Sequence, residues 1–416
     1  IITDQKKTFR FMKQKKKVAI IGSVGLPSKY GGFETLADHL VKQLGDQYEF
    51  TVYCTSKKYP KAERKKTYEG ARLRYIPLDA NGVQSIPYDS ISIFHALFYA
   101  DVLLILGVAG AWMLPFVKLF TRKKIIISVD GIEWKRNKWS RLAKWYLWWA
   151  EKMAVKYSHA DISDNESIQD YTAVRYGTLS HIIEYGADHT LNIKPTQQDK
   201  EKYTFLNKPY AFKVCRIEPE NNIHIVLESF ARLGKYTLVI VGNWNISEYG
   251  QKLKEKYSGY PNLVLLDPIY NQQQLDLIRG NAFIYLHGHS AGGTNPSLVE
   301  AMHLGLPVVT YDVSYNRTTT EGKAFYFRSE EDITRLVQTK TIAEWKANGT
   351  RMKEVADRRY KWQIIAAKYD GLIRRVLAQK GKVPVRPAFS NVSSGDLLGL
   401  EAAHLETAAL FYEKRY

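Results

Sequence analysis

The sequence predicts an α/β protein built from two doubly wound units, each a parallel sheet covered on both faces by helices. Three observations carry that prediction. The 416 residues exceed the size at which a single core usually stops growing. Short apolar runs alternate with stretches of helical periodicity. The alternation also stops once, at a polar stretch, and then begins again. The resulting organisation is an extension at 1–16, a first unit at 17–190, a linker at 191–208, a second unit at 209–379 and a tail at 380–416.

In the first unit, Val18 to Ile21 is an apolar run closed by Gly22, as in a buried parallel strand. The loop Ser23 to Gly32 contains Gly25, Pro27 and Gly31. Phe33, Leu36, Ala37, Leu40, Val41 and Leu44 then recur at helical spacing. Further strands fit Phe50 to Tyr53, Leu73 to Ile76, Val102 to Leu106 and Ile125 to Val129. After the linker, strands fit Tyr210 to Val214, Thr237 to Val241, Leu263 to Leu266, Phe283 to Leu286 and Pro307 to Thr310. Helices fit Ile223 to Leu233, Gln272 to Arg279 and Pro296 to Leu304. Sheets of this kind bind ligands at the carboxyl ends of their strands. The tail loses the rhythm, although Leu397 to Tyr412 fits one helix.

Composition narrows the function classes. The two cysteines, Cys54 and Cys215, fall in different units, which excludes a disulfide framework and fits a reducing compartment. The net charge of +18 calls for an anionic partner or surface. Both halves share the excess, whereas a nucleic-acid protein would gather it on one face or arm; no nucleic-acid partner is expected. Val102 to Val117 is too short for a comfortable membrane span and is interrupted by Gly107, Gly110 and Pro115. No signal peptide is expected, because the apolar run after Lys13 to Lys17 ends at Gly22.

The segment His287 to Pro307 carries the most chemistry. A strand ends in the small-residue loop that holds Gly292, Gly293 and Thr294, and a helix follows with Asn295 as N-cap and Pro296 in its first position. Free amides at such a terminus suit a diphosphate. Glu300, one turn further on, can accept hydrogen bonds from ribose hydroxyls. The run Pro296-Ser-Leu-Val-Glu300-Ala-Met with Gly305-x-Pro307 resembles the nucleotide-sugar site of retaining family-4 glycosyltransferases. That resemblance implies the two-domain GT-B fold and transfer with retention. Glu300 matches the second of the family's two glutamates, whereas Gly292 stands where the first would be. Arg216 matches its diphosphate-binding arginine, and Asn221 replaces the lysine that accompanies it.

Three more segments narrow the resemblance to the bacterial polysaccharide rhamnosyltransferases: Gly22 to Thr35, which includes Tyr30, Gly31 and Gly32; Asp130-Gly-Ile-Glu133-Trp134-Lys-Arg136-x-Lys-Trp139; and Pro219-Glu-Asn-Asn-Ile. The resemblance spans about residues 17–375. It implies a deoxyhexose donor, dTDP-rhamnose foremost, and a polyprenyl-diphosphate-linked sugar acceptor. The alternatives are another hexosyltransferase, a sugar-nucleotide epimerase or a phosphorylase. A dehydrogenase fits less well, since Gly22 to Gly32 lacks GxGxxG spacing.

Asp130 and Glu133 are candidates for orienting or deprotonating the acceptor hydroxyl, with turn capping the other role open to Asp130. His287 and His289 have no apparent third metal ligand, and no DxD motif occurs; no metal or other cofactor is expected. Arg216 and helix amides are then expected to carry the leaving diphosphate's charge. Trp134, Trp139, Trp145, Trp148 and Trp149 alternate with Arg136, Arg141 and Lys144 and read as a basic amphipathic helix for an anionic membrane surface. The expected location is cytoplasmic, peripheral to the inner face of the plasma membrane.

Overall fold

The computed structural model describes residues 15–29, 31–129, 131–136, 139–234 and 236–385. The expected Leu397 to Tyr412 helix lies outside them, as do Tyr30 and Asp130. The chain divides into two compact units. One comprises 1–127, 153–160 and 370–382; the other comprises 128–152, 161–369 and 383–416.

The first unit contains β1 (Lys16–Ile21), β2 (Tyr48–Thr55), β3 (Thr67–Tyr68), β4 (Ala71–Ile76), β5 (Val102–Leu106) and β6 (Lys124–Ser128), in the order β3-β4-β2-β1-β5-β6. Val18 to Ile21 are wholly buried, which is why an unbroken apolar run sits at the centre. β1 pairs in parallel with both β2 and β5, with Val18 opposite Phe50 and Val102. The short β3 runs antiparallel to β4. The Gly32–Leu44 helix buries Leu36, Ala37, Leu40, Val41 and Leu44, the face its periodicity indicated.

In the second unit, β7 (Ala160–Ser163) and β8 (His181–Ile182) form a parallel pair. The main sheet comprises β9 (Tyr210–Val214), β10 (Thr237–Val241), β11 (Leu263–Leu266), β12 (Ile284–His287), β13 (Val308–Tyr311) and β14 (Phe325–Phe327). Its order is β11-β10-β9-β12-β13-β14, and every pair is parallel. Separate hydrophobic clusters cover its two faces. The direction of winding reverses between β9 and β12, and such a reversal opens a crevice beyond the carboxyl ends of the two strands. The loops after β9 and β12 are those that hold Arg216 and Gly292.

One expected element differs. Trp134 to Trp149 is not a single helix: a short 3₁₀ turn at Glu133–Lys135 precedes a helix at Arg141–Tyr157. Side-chain chemistry explains the break. Trp134 Nε1 donates to Tyr171 Oη at 3.0 Å and Trp139 Nε1 donates to Glu133 at 3.0 Å, so both indoles fold back onto the protein.

Candidate active site

The loop from β12 to the Pro296–His303 helix is shaped by backbone contacts. Gly292 has φ of 129°, a region that disfavours other residues, and a side chain at Gly293 would collide with the Asp164 carboxylate. Buried Thr294 donates its hydroxyl to Asp164 O at 2.6 Å and accepts from Asn165 Nδ2 at 3.1 Å. Asn295 sits at the N-cap position, but its side chain makes no capping bond; its Nδ2 donates to Gly293 O at 3.3 Å instead. Pro296 occupies the first helical position as expected, and the helix buries Leu298, Val299, Ala301 and Met302.

Glu300 lies in the second turn of that helix and is held from two sides. One carboxylate oxygen pairs with the fully buried Arg279 guanidinium, which also meets Asp276 at 2.6 Å. The other lies 3.2 Å from His189 Nε2. Trp362 Nε1 donates to His189 Nδ1 at 3.0 Å, so the ring carries its proton on Nε2 and gives it to Glu300. Burial alone would raise the Glu300 carboxyl. The Arg279 charge and the His189 hydrogen bond outweigh burial and hold it at about 2. The helix thus carries a fixed negative charge.

Across the switch point, Arg216 is 54% exposed with Glu218 3.9 Å away. Asn221 is buried and donates to Arg216 O at 2.6 Å, so its side chain shapes the turn. Asn222 Nδ2 donates to Gly288 O at 2.9 Å, and Ser290 N and Oγ each donate to Glu220 O at 2.8 Å. These bonds tie the β9 loop to the β12 loop. Arg136 joins them from a third segment: its Nε donates to Glu220 at 2.7 Å, and Glu133 and Glu218 lie at 3.2 Å. Both Glu133 oxygens are therefore engaged, one by Arg136 and the other by Trp139.

Buried polar atoms concentrate at the carboxyl ends of the same strands. Lys213 Nζ, both His287 nitrogens and His289 Nδ1 have no hydrogen-bond partner among the described residues. Burial, followed by the nearby Lys213, holds His287 well below the usual histidine range. His289 is depressed likewise, by burial and then by His287, Lys213, Arg216 and Arg136. The two rings stack as neutral imidazoles with centroids 4.2 Å apart. Lys213 is itself lowered by burial, and its Nζ lies beside Gly288. Unpartnered buried donors are rare, and a cluster of them at strand ends marks a place that a ligand completes. Among the described residues no group of His, Cys, Asp and Glu could hold a metal ion.

In the first unit, the loop after β1 closes on Glu34. Its buried carboxylate accepts from Val24 N, and a side chain on Gly31 (φ 127°) would collide with it. Gly32 opens the helix. Lys213, Arg279, Asp276 and His189 carry no motif in the sequence. The available signals were a lysine inside the apolar run of β9 and the i,i+3 pair Asp276–Arg279.

Comparison with known proteins fits this architecture. The first listed match among solved structures is sucrose-phosphate synthase from Thermosynechococcus elongatus, 15% identical with a TM-score of 0.73, covering 88% of this chain and 100% of that one. HepE from Anabaena in complex with UDP-glucose follows at 14% identity and a TM-score of 0.67, covering 86% and 99%. A glycosyltransferase from Rickettsia africae gives 12% and 0.68, covering 88% and 100%.

The fold is GT-B.

Residues 195–360 match the family model "Glycosyl transferases group 1", and residues 15–188 match a domain of unknown function, DUF1972. No curated protein matches the chain in sequence. Residues 195–360 thus form a glycosyltransferase group 1 region within a chain of GT-B fold. Its group 1 region contains Arg216, Lys213, the Gly292–Thr294 loop and Glu300.

Proposed function

We propose that the chain transfers a deoxyhexose, rhamnose foremost, from a nucleoside-diphosphate sugar to a polyprenyl-diphosphate-linked sugar, with retention, at the inner face of the plasma membrane. The observation that carries the donor class is Glu300. A carboxylate held ionised at about 2, one turn behind a glycine loop and a helix N-terminus, suits paired ribose hydroxyls beside a diphosphate. The Anabaena structure holding UDP-glucose supports a nucleotide sugar as donor. Gly22 to Thr35, Asp130 to Trp139 and Pro219 to Ile223 support rhamnose, through their resemblance to the rhamnosyltransferase branch.

As the acceptor hydroxyl attacks the anomeric carbon, negative charge grows on the departing diphosphate. Arg216, the Lys213 ammonium and the amides at the start of the Pro296–His303 helix would stabilise it without a metal ion. Glu133 would position Arg136 and the β9 loop, leaving Asp130 as the candidate to orient or deprotonate the acceptor. The membrane location rests on the lipid-linked acceptor and the +18 net charge. Among the described residues no helix is long and apolar enough to cross a membrane.

The test is nucleoside diphosphate release from a panel of sugar nucleotides, with and without a short polyprenyl-diphosphate-sugar acceptor. Acceptor-dependent release from dTDP-rhamnose is expected. Release from a glucosyl or other hexosyl donor would keep the transferase and overturn the sugar. Release without acceptor would favour an epimerase or a phosphorylase.

A further inference from the structure

The first unit exposes an apolar face that its sheet does not use. The Ser85–Ala96 helix and the turn after it leave Phe94 58% and Phe98 75% exposed, with the two rings 5.3 Å apart. The 3₁₀ turn Ala111–Met113 and the Leu114–Phe120 helix expose Trp112, Phe116, Leu119 and Phe120 at i, i+4 and i+7 to i+8 spacing. The stripes meet where Trp112 Nε1 donates to Ser90 Oγ at 2.9 Å and Gly110 packs against Asp89 and Ile93. Exposed apolar side chains gathered in this way, rather than scattered singly, mark a surface that meets a membrane or a partner.

Its charge is one-sided. Between Asp101 and Asp130 the chain has no acidic residue, while Lys118 lies within the second stripe and Arg122, Lys123 and Lys124 follow it. Lys118 also lies close enough to Lys382 for the two ammoniums to repel. An isologous contact between two copies would set these cations against their own images, which argues against a homodimer. Aromatic rings edged by cations match the boundary between headgroups and acyl chains in an anionic bilayer.

We infer that the Phe94–Phe120 face docks the protein on an anionic lipid surface. The inference deepens the membrane location proposed above and rests on it only for the reason such a face exists. It also differs in place from the Trp-rich segment: Trp134 and Trp139 bond to the protein and the Arg175 guanidinium lies 4.8 Å from the Trp148 ring centre, while Trp145 alone of these is largely exposed.

The test is co-sedimentation of the full chain with vesicles of phosphatidylglycerol and phosphatidylcholine, and with phosphatidylcholine alone. Wild type is expected to bind the anionic vesicles at least tenfold better. Phe98→Asp with Phe120→Asp should lose that binding at least tenfold, while Trp145→Asp should keep it. Both positions are exposed, and transfer to a detergent-dispersed acceptor should be unchanged, which reports folding and keeps failure of the transfer reading separate. Arg122→Gln with Lys123→Gln should weaken binding and flatten its salt dependence. Wild type that ignores vesicles, or a double aspartate variant that binds like wild type, overturns the inference. So does a wild-type dimer that the double variant turns into a monomer, because the face would then belong to a second copy.

Discussion

Two strand–loop–helix units of this molecule each place a glutamate behind a glycine loop, and the two glutamates do opposite things. Glu34, in the Gly32–Leu44 helix of the first unit, has no cation paired with it among the described residues. Its bond is to Val24 N, and burial raises its carboxyl above the usual range despite that bond. Glu300, in the second unit, is 14% exposed, and Arg279 and His189 hold it at about 2. Similar local architecture therefore does not assign a role. Glu34 braces its own loop, whereas Glu300 presents a fixed charge.

The sharpest way to break this contrast is Glu300→Gln. It leaves the buried Arg279 with Asp276 as its one remaining carboxylate, and losing one hydrogen bond between charged groups costs about 2 kcal/mol. Calorimetry should show nucleoside diphosphate affinity falling at least tenfold, with a lower melting temperature. Unchanged affinity would remove Glu300 from the donor site.

Lys213→Met comes next. Losing one charge partner should weaken nucleoside diphosphate binding about tenfold, near 1.4 kcal/mol. The same change should raise the melting temperature, because an unpartnered buried ammonium is removed. A fall in melting temperature with intact affinity would make Lys213 purely structural.

The smallest effect is expected from Glu34→Gln, whose amide oxygen can still accept from Val24 N. An acid raised in the folded state contributes stability that is complete below its unfolded value near 4.5 and lost as pH rises through its folded value. The variant should therefore melt higher than wild type at neutral pH, by about 1 kcal/mol, and match it in acid. Glu300 has the opposite sign: its contribution is present above 4.5 and lost as pH falls toward about 2. A melting series from pH 3 to 8 on both variants separates the two behaviours.

The sheet strands were legible because burial on both faces requires unbroken apolar runs. β5, β9, β10 and β11 fall on the expected residues, and β12 and β13 are displaced by one. β7 was not legible: its Ala-Asp-Ile-Ser is half polar yet wholly buried. Motif residues such as Glu300 and Arg216 could be read from the runs they stand in and the family resemblance those runs carry. Their partners could not, since Arg279 and His189 meet Glu300 only through tertiary packing. Trp134 and Trp139 misled for the same reason. An indole looks like a membrane anchor in sequence until its N–H is seen bonded to Tyr171 or Glu133.

The collision that a side chain at Gly293 would make with Asp164 reaches beyond this one chain. The two positions lie 129 residues apart, yet 293 cannot grow alone: enlarging it requires that 164 shrink or turn away. Among homologues, substitution at 164 and 293 should be correlated, with the small residue alternating between them. The inheritance of this loop is thus written as a pair.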